Sequence, residues 1–585
     1  MKPILLIAIL AAQVNAQDSS PLPPPVAPQR SEVELQSPAE SFTLGQLLDT
    51  ESDLTSTEVF ESRLVDPGWW QSMVSSSHRR QCTPVSLSLE NLLVRALQHS
   101  KQVKVFSELP LIRETSIVEA DSAFDWSAFI DSRWDDSSEP VGNSLTAGPG
   151  INRFRDHNLS FSAGARKRTY SGGQFEMAQR FGMQNNNSQF FTPNDQGTSR
   201  IVLNYTQPLL RGRGECYNRS LVCLASIDQK IANDEFMRQL QSHLLEVTRS
   251  YWATYLERGA LLQKMNSYRR ARETVSRLEL RRNIDATVSQ IKSAQAALKT
   301  RKAELARAIS AVKNAESRLR SLVNDPALSD FENTEIIPAD APSFQTFAVD
   351  MQASIGEAMR NRPEVSQAIR QIKAASIRQN MTRHELMPVL NLVTETYVAG
   401  LDGSHDIGTA WRNQFNQGEP GYSIGLQFEV PIHNRAARAR HTRRRHELRQ
   451  LQNQYETTLE SISLEVQVAV REISTSQREL FAKEEAMLAR KEQLAYLQER
   501  WERLPGEDFS ASLALENLLS AQERLSASEF EYLQSQMTYN LSLMNLKRAT
   551  GTLLQHESVS IARSCQNGLP TQTAQKPEID RVNLQ

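Results

Sequence analysis

Two very long stretches without proline constrain the fold of this chain more than any other feature of its sequence. No proline occurs between Pro208 and Pro326, and neither proline nor glycine occurs between Pro431 and Pro505. Proline disrupts a helix interior because it lacks an amide donor and clashes with the preceding turn. Its absence over such lengths predicts helices of up to about 67 residues, which would span on the order of 100 Å.

Each stretch carries a single apolar stripe on an otherwise polar helix, which is the pattern of a coiled-coil face. Turns at 283–285 and 504–506 end the stripes, and a shorter amphipathic helix follows each turn. We therefore predict two helical hairpins, over 215–323 and 434–552. The stripe residues recur at helical spacing: Ile227, Ile231, Phe236, Leu240, Leu244, Val247, Tyr251 and Tyr255, then Leu448, Leu451, Tyr455, Leu459, Ile462, Val466, Ile473 and Leu480.

The two hairpins indicate an internal duplication. Residues 293–298 (SAQAAL), after the first turn, match residues 520–525 (SAQERL), after the second. Self-similarity of this kind marks a repeated structural unit. We therefore predict a first repeat over 87–325, a connector over 326–350 and a second repeat over 351–554.

The segments before each hairpin alternate between apolar and mostly polar residues, as in Phe124, Trp126, Ala128 and Ile130. Period-two segments of about ten residues are typical of transmembrane β-strands. Both hairpins must begin on the same side of a membrane, so each repeat should contribute an even number of strands. We expect two in the second repeat and two or four in the first, where an insertion with a turn at 171–173 decides the number. The strand segments are 124–134, 157–208, 389–398 and 421–431.

The N-terminus has the features of a secretory signal peptide over residues 1–16. Lys2 precedes an apolar run over 4–12, and the small residues at 14–16 suit cleavage. The mature chain is therefore expected to be exported. A Pro-rich and polar extension follows over 17–86, and a polar tail over 555–585 ends the chain.

Composition and motifs exclude several classes of function. The net charge is −2, from 66 basic and 68 acidic residues, so no field of one sign favours nucleic acid as a partner. No nucleophile triad, phosphate-binding loop or dinucleotide fingerprint is present in a suitable context. The sequence therefore predicts no enzyme, no cofactor and no metal site.

Four cysteines, at positions 82, 216, 223 and 565, match no zinc-binding spacing. Export makes disulfides possible. Cys216 with Cys223 is the local candidate pair, and Cys82 with Cys565 would join the two ends. The sequence leaves each pair open between a disulfide and free thiols.

Three motifs, in this order within the duplicated plan, resemble the TolC-like outer-membrane efflux protein family, the outer membrane factors. They are residues 205–212 (YTQPLLRG) before the first long helix, 362–365 (RPEV) at the start of the second repeat and 425–432 (GLQFEVPI) before the second long helix. The resemblance runs from about Leu87 to Leu554.

The resemblance implies a mixed α and β membrane protein. In this family a homotrimer closes one transmembrane β-barrel, which a long periplasmic α-helical barrel continues. It implies a location in the outer membrane of a Gram-negative-type bacterium, in contact with outer-membrane lipid and extending into the periplasm. The implied function is passive conduction in a tripartite efflux pump or type I secretion system, from a periplasmic adaptor (membrane fusion) protein and an inner-membrane transporter to the exterior.

The resemblance also assigns candidate sites. In the family the two helical turns meet the adaptor, which implies docking tips at Asn283, Ile284, Asp285, Leu504, Pro505 and Gly506. The best-known members close the pore with acidic rings one and four residues before the alanine that matches Ala521. Here those positions hold Ser520 and Asn517, and the nearest acid is Glu516. Glu516, Asn517 and Ser520 are therefore the candidates for the pore constriction, without the carboxylate rings that would favour cations.

Two alternatives remain open from the residues alone. An exported, elongated coiled-coil protein without a pore would account for the helices and predicts no membrane-facing strands. A porin-like diffusion channel would account for the strands and leaves the long helices unexplained.

Overall fold

The computed structural model describes residues 68–77, 82–284, 286–330, 333–345, 349–503 and 509–556. All of them belong to one compact unit, Leu64–Gln585. The strands are β1 (Thr83–Leu87), β2 (Ser127–Pro140), β3 (Arg153–Arg168), β4 (Gln174–Asn186), β5 (Gln196–Pro208), β6 (Thr334–Pro338), β7 (Val389–Asp402) and β8 (Gly421–Glu429). The helices are α1 (Gln71–Val74), α2 (Leu89–His99), α3 (Lys101–Asp121), α4 (Ser144–Ala147), α5 (Glu215–Asn218), α6 (Ser220–Leu280), α7 (Val288–Val323), α8 (Met351–Asn361), α9 (Pro363–Glu385), α10 (Ile407–Asn416), α11 (Arg435–Arg503), α12 (Phe509–Ala549) and α13 (Leu553–His556).

The larger sheet has six strands in the order β2-β3-β4-β5-β7-β8. Every neighbouring pair is antiparallel, and each register runs without interruption. Four of these strands precede the first long helix and two precede the second, so the insertion in the first half adds the hairpin β3–β4. Its turn lies at Thr169–Gly173, where the Thr169 amide donates to the Gly173 carbonyl at 2.7 Å and Gly172 has a φ of 94°.

The long helices form where proline is absent. α6 has 61 residues and α11 has 69, or about 90 and 100 Å. α7 follows α6, and α12 follows α11. A capping box starts α7: the Thr287 hydroxyl accepts from the Gln290 amide at 3.3 Å, and the Gln290 side chain accepts from the Thr287 amide at 3.0 Å. Asn324, in the left-handed conformation, ends it.

The apolar stripe of α6 is largely buried within the chain, whereas the stripe of α11 is buried from Ile462 onward and only partly buried before it, at Leu448, Leu451, Tyr455 and Leu459. The side chains of Leu240, Leu244, Tyr251 and Tyr255 on α6 belong to the same apolar cluster as Leu533 on α12. Burying an apolar side chain of this size stabilises the fold by about 1.5–3 kcal/mol. The helical part is therefore held together largely by contacts made inside one chain.

A small parallel sheet lies beside the helices, with β1 and β6 paired from Thr83↔Thr334 to Leu87↔Pro338. β1 and α1 fall in the segment that we assigned to a polar extension, so that part of the extension is ordered. The reason is tryptophan burial. Trp70 is completely buried and packs edge-on against Tyr532, and Trp69 Nε1 donates to Glu529 Oε1 at 3.0 Å.

The Arg258 guanidinium joins both this segment and β6 to the first long helix. Arg258 Nη1 on α6 lies 2.6 Å from Glu335 Oε1 on β6, and both side chains are 1% exposed. The same guanidinium donates to the carbonyls of Val74, at 3.1 Å, and Ser76, at 2.6 Å. Such a group stabilises the fold only while its partners remain in place, because an unpaired buried charge is costly.

The start of the predicted second repeat, at α9, contains the Arg-Pro motif in a setting that suits both residues. Pro363 is in the first turn of α9, where its missing amide donor costs nothing. Arg362, just before it, pairs with Glu364 at 2.9 Å and with Glu465 on α11. The motif thus ties the start of α9 to the second long helix.

Candidate functional site

The six-stranded sheet has one apolar and one polar face. Residues paired across an antiparallel ladder point to the same side, and successive residues point to opposite sides. The uninterrupted registers therefore define complete rows across all six strands. One row is Ala128, Ala165, Met177, Leu203, Thr396 and Tyr422, and the row beside it is Ser127, Arg166, Glu176, Asn204, Glu395 and Ser423. We call the sides bearing these rows the apolar face and the polar face.

The apolar face is exposed in the single chain. On β8 the exposed fractions are 80% for Tyr422, 70% for Ile424, 68% for Leu426 and 63% for Phe428. Ile130 and Trp134 on β2 are also exposed on this face. Soluble monomers rarely present a contiguous apolar surface of this extent, so the face requires an apolar partner.

The polar face carries charges of both signs close together. Arg200 pairs with Glu395 at 3.0 Å, and its guanidinium lies 3.7 Å from the centre of the Tyr397 ring. Asp131, Ser162 and Arg180 share the row of Arg200. Such a surface is suited to water, and in a closed barrel it would line an aqueous lumen.

Helix α10 covers part of the apolar face, next to the ends of β5 and β7. Gln414 is completely buried, and its Oε1 accepts from Ser199 Oγ at 2.7 Å and from Gln179 Nε2 at 3.1 Å. The helix packs so closely that a Cβ on Gly400 would lie 2.2 Å from the Ala410 carbonyl oxygen. Its outer side exposes Trp411 and Phe415, whose rings are 5.4 Å apart.

The sequence did not lead us to predict α10, although it contains signals for it. Asp406 caps the helix, since its Oδ1 accepts from the Thr409 amide at 3.0 Å, and Gly418 follows its end. Ala410 with Gln414, and Trp411 with Phe415, also have the i,i+4 spacing that places the two members of each pair on one side of a helix.

The ends of the two helical hairpins lie next to each other. Arg277, near the end of α6, pairs with Glu502, near the end of α11. Gln290 at the start of α7 donates to Ser512 Oγ on α12 at 3.2 Å. The structure therefore brings the helix ends that flank the two predicted turns close together.

Only part of the predicted tips can be described. Asn283 and Ile284 lie in the turn after α6, and the Ile284 side chain is 78% exposed. Its amide donates to the Arg281 carbonyl at 3.0 Å. Asp285, Leu504, Pro505 and Gly506 lie outside the described residues.

The three candidates for the pore constriction share one side of α12. Glu516, Asn517 and Ser520 are exposed, whereas Leu515 and Leu518, on the opposite side, are buried in the core. The structure thus brings the three together on a polar stripe that faces away from the packed helices of its own chain.

None of the helices in the described part of the chain is long and apolar enough to cross a bilayer. Among the same residues, no group of three or more His, Cys, Asp or Glu side chains is arranged to hold a metal ion.

We compared the sequence and the fold with those of known proteins. No protein-family model and no curated protein matches the sequence. Solved structures do match, in 23 chains. The outer-membrane channel CmeC of Campylobacter jejuni matches with a TM-score of 0.59 and 13% identity, over 89% of this chain and 94% of that one. The chain shares its fold.

Two further channels support the same conclusion. The outer-membrane protein VceC of Vibrio cholerae has a TM-score of 0.55 and 16% identity, over 79% of this chain and 96% of its own. The open outer-membrane channel MtrE of Neisseria gonorrhoeae has a TM-score of 0.51 and 16% identity, over 80% and 89%. The predicted TolC-like fold is confirmed.

In the structure, Cys216 and Cys223, the residues of the possible local disulfide, have free and exposed thiols. Helical bonds run through the segment: the Arg219 amide donates to Glu215 and the Cys223 amide donates to Arg219. The two cysteines are therefore two helical turns apart, about 10 Å, beyond the roughly 7 Å that a disulfide can bridge between Cα atoms. The other candidate pair includes Cys565, which lies outside the described residues.

Proposed function

We propose that the chain is the outer-membrane channel subunit of a tripartite efflux pump or type I secretion system. It conducts substrates passively from a periplasmic adaptor and an inner-membrane transporter to the exterior. The observation that carries the proposal is the six-stranded sheet, with one exposed apolar and one polar face, joined to helices about 90–100 Å long. The shared fold with outer-membrane channels supports it.

The strands imply an oligomer. The six strands of one chain form an open sheet, because a closed barrel with an interior filled by side chains needs about eight strands. An open sheet edge is not tolerated in hydrocarbon, because each unpaired backbone group there costs several kcal/mol. A homotrimer closes the barrel, places the apolar face against outer-membrane lipid and places the polar face around the lumen.

The tips supply the contact with the adaptor. Ile284 is a large apolar side chain exposed in the first turn, and the Arg277–Glu502 pair joins the ends of the two long helices beside it. A photo-crosslinking residue in place of Ile284 is expected to capture the adaptor in cells. The same residue in place of Lys313, exposed far from the turn on α7, serves as the control.

The polar stripe of α12 lines the tunnel. Asn517→Cys or Ser520→Cys, in a chain whose native cysteines are replaced by serine, is expected to make conductance sensitive to a charged thiol reagent. Lys313→Cys is the matched control. Unchanged conductance in all three variants would remove Asn517 and Ser520 from the pore.

Planar-bilayer recording of the purified chain, with native mass spectrometry, tests the function as a whole. We expect three copies per particle and discrete conductance steps. A monomeric, detergent-independent rod without conductance would instead support the coiled-coil alternative. That alternative leaves the exposed apolar face of the sheet without a partner.

A further inference from the structure

Both edges of the six-stranded sheet are free. Among the described residues, β2 pairs only with β3 and β8 pairs only with β7. β2 offers 14 residues and β8 offers 9 along their outer edges. Such rows of unpaired amides and carbonyls are templates for another strand.

The two edges are complementary in direction. The strands alternate from β2 to β8, so the sixth strand runs opposite to the first. β8 of one copy can therefore continue the alternation by pairing with β2 of the next. Two copies of β2, or two of β8, would pair antiparallel only if one copy were inverted end to end, which would place its long helices on the opposite side of the membrane.

The faces also continue across this contact. Ile424 and Leu426 at one edge lie on the apolar face, as do Ile130 and Trp134 at the other. Their neighbours Ser423 and Gln427 lie on the polar face, as do Asp131 and Arg133. A β8-to-β2 contact therefore extends both faces without a break, and the occupant that fits each edge is a second copy of this chain.

We propose that β8 of each copy pairs antiparallel with β2 of the next and that the channel closes as an eighteen-stranded barrel. The number follows from six strands in each of three copies, and the number of copies rests on the proposed function. The hairpin β3–β4 contributes six of the eighteen strands.

This hairpin widens the barrel relative to the helices below it. β2, β5, β7 and β8 each continue into or out of helical segments, whereas β3 and β4 are joined by the short turn at 169–173. Each chain thus contributes six strands to the barrel, and only four of them continue into or out of helical segments. Barrel diameter grows roughly with strand number, and barrels of about 16–18 strands enclose an aqueous channel. The tunnel is therefore widest in the outer membrane, and its constriction lies in the helical part.

Paired cysteines test the contact in a chain whose native cysteines are replaced by serine. Leu426→Cys is combined in turn with Ala128→Cys, Ile130→Cys, Ser132→Cys or Trp134→Cys, which occupy successive positions on the same face of β2. We expect one combination to give disulfide-linked dimers and trimers on oxidation. Moving both cysteines by two residues in opposite directions should preserve the crosslink, as an antiparallel ladder requires.

Leu426→Cys with Met177→Cys is the matched control, because Met177 lies on the same face of the interior strand β4. It should give no crosslink between copies. Trimers without any β8-to-β2 crosslink, or a cryo-electron microscopy cross-section with fewer than eighteen strands, would overturn the proposal and leave the channel function intact. A protein that forms no trimer would instead overturn the proposed function.

Discussion

The six-stranded sheet and the helical hairpins differ in how far their apolar side chains are buried within the chain. In α12, Leu515 and Leu533 are at most 1% exposed, whereas Ile424 and Leu426 on β8 are 70% and 68% exposed. The apolar side chains of the helices are buried largely within one chain, and those on the apolar face of the sheet are not. The difference indicates that the helical part obtains its stability from packing within the chain. In the proposed channel, the sheet obtains its apolar environment from lipid and from other copies.

The largest expected effect is in the helical part. Arg258→Ala removes the buried guanidinium that pairs with Glu335 at 2.6 Å, so we expect a loss of about 3–5 kcal/mol in the free energy of unfolding. Denaturant unfolding of the detergent-solubilised protein measures it. Arg249→Ala is the control, because Arg249 is exposed and its Glu246 partner is 3.9 Å away. An equal, small loss in both variants would contradict the role of the buried pair.

Leu533→Ala tests packing in the same part. Leu533 is completely buried, and a Cβ on Gly259 would lie only 2.5 Å from its Cδ2, so the two helices meet closely here. We expect a loss of about 2–5 kcal/mol, measured in the same way, because the side chain leaves a cavity. Leu513→Ala, at a position 48% exposed on the same helix, should change the free energy by less than about 0.5 kcal/mol.

The matched pair Leu426→Arg and Gln427→Arg sharpens the comparison from the side of the sheet. Adjacent residues of β8 point to opposite faces, so only the first variant places a charge in lipid. We expect Leu426→Arg to lose about 2–4 kcal/mol of stability in vesicles and Gln427→Arg to lose little. If the larger loss belonged to Gln427→Arg, the assignment of the two faces would be reversed.

The smallest expected effect concerns pH. His243 on α6 is buried, its Nε2 lies 3.1 Å from Ser100 Oγ, and burial lowers its pKa below the ordinary value of 6.5. The folded state therefore binds this proton less readily than the unfolded state, so the stability is full above pH 6.5 and falls as the pH drops through the lowered pKa. His243→Gln should reduce the drop in melting temperature between pH 7 and pH 5. An unchanged pH profile would show that His243 is not responsible.

Much of the fold could be predicted because its signals are long and repeated. The proline-free stretches predict α6 and α11, and the alternation in 389–398 and 421–431 predicts β7 and β8. The number of strands in the first half could not be fixed, because a hairpin of two extra strands preserves the direction of the chain. Only the pairing of β3 with both β2 and β4 decides it.

The site was less predictable for a related reason. β1 and β6 are five residues each and pair across about 250 positions of sequence, which no local pattern reports. Helix α10 is short and lies in a polar loop, and its burial depends on contacts with Ser199 and Gln179 far away in sequence. A pore role for Glu516, Asn517 and Ser520 could be suggested only by the resemblance, and the side of α12 that they occupy could be seen only in the structure.

Site-directed spin labelling of β8 in lipid vesicles tests the central claim most directly. Labels at Ile424 and Leu426 report the apolar face, and labels at Gly425 and Gln427 report the polar face. A membrane channel predicts a period of two: the first pair is accessible to oxygen dissolved in lipid, and the second pair to a water-soluble nickel chelate. Four labels equally accessible to the chelate would contradict it, because the sheet would then lie in water and not in the membrane.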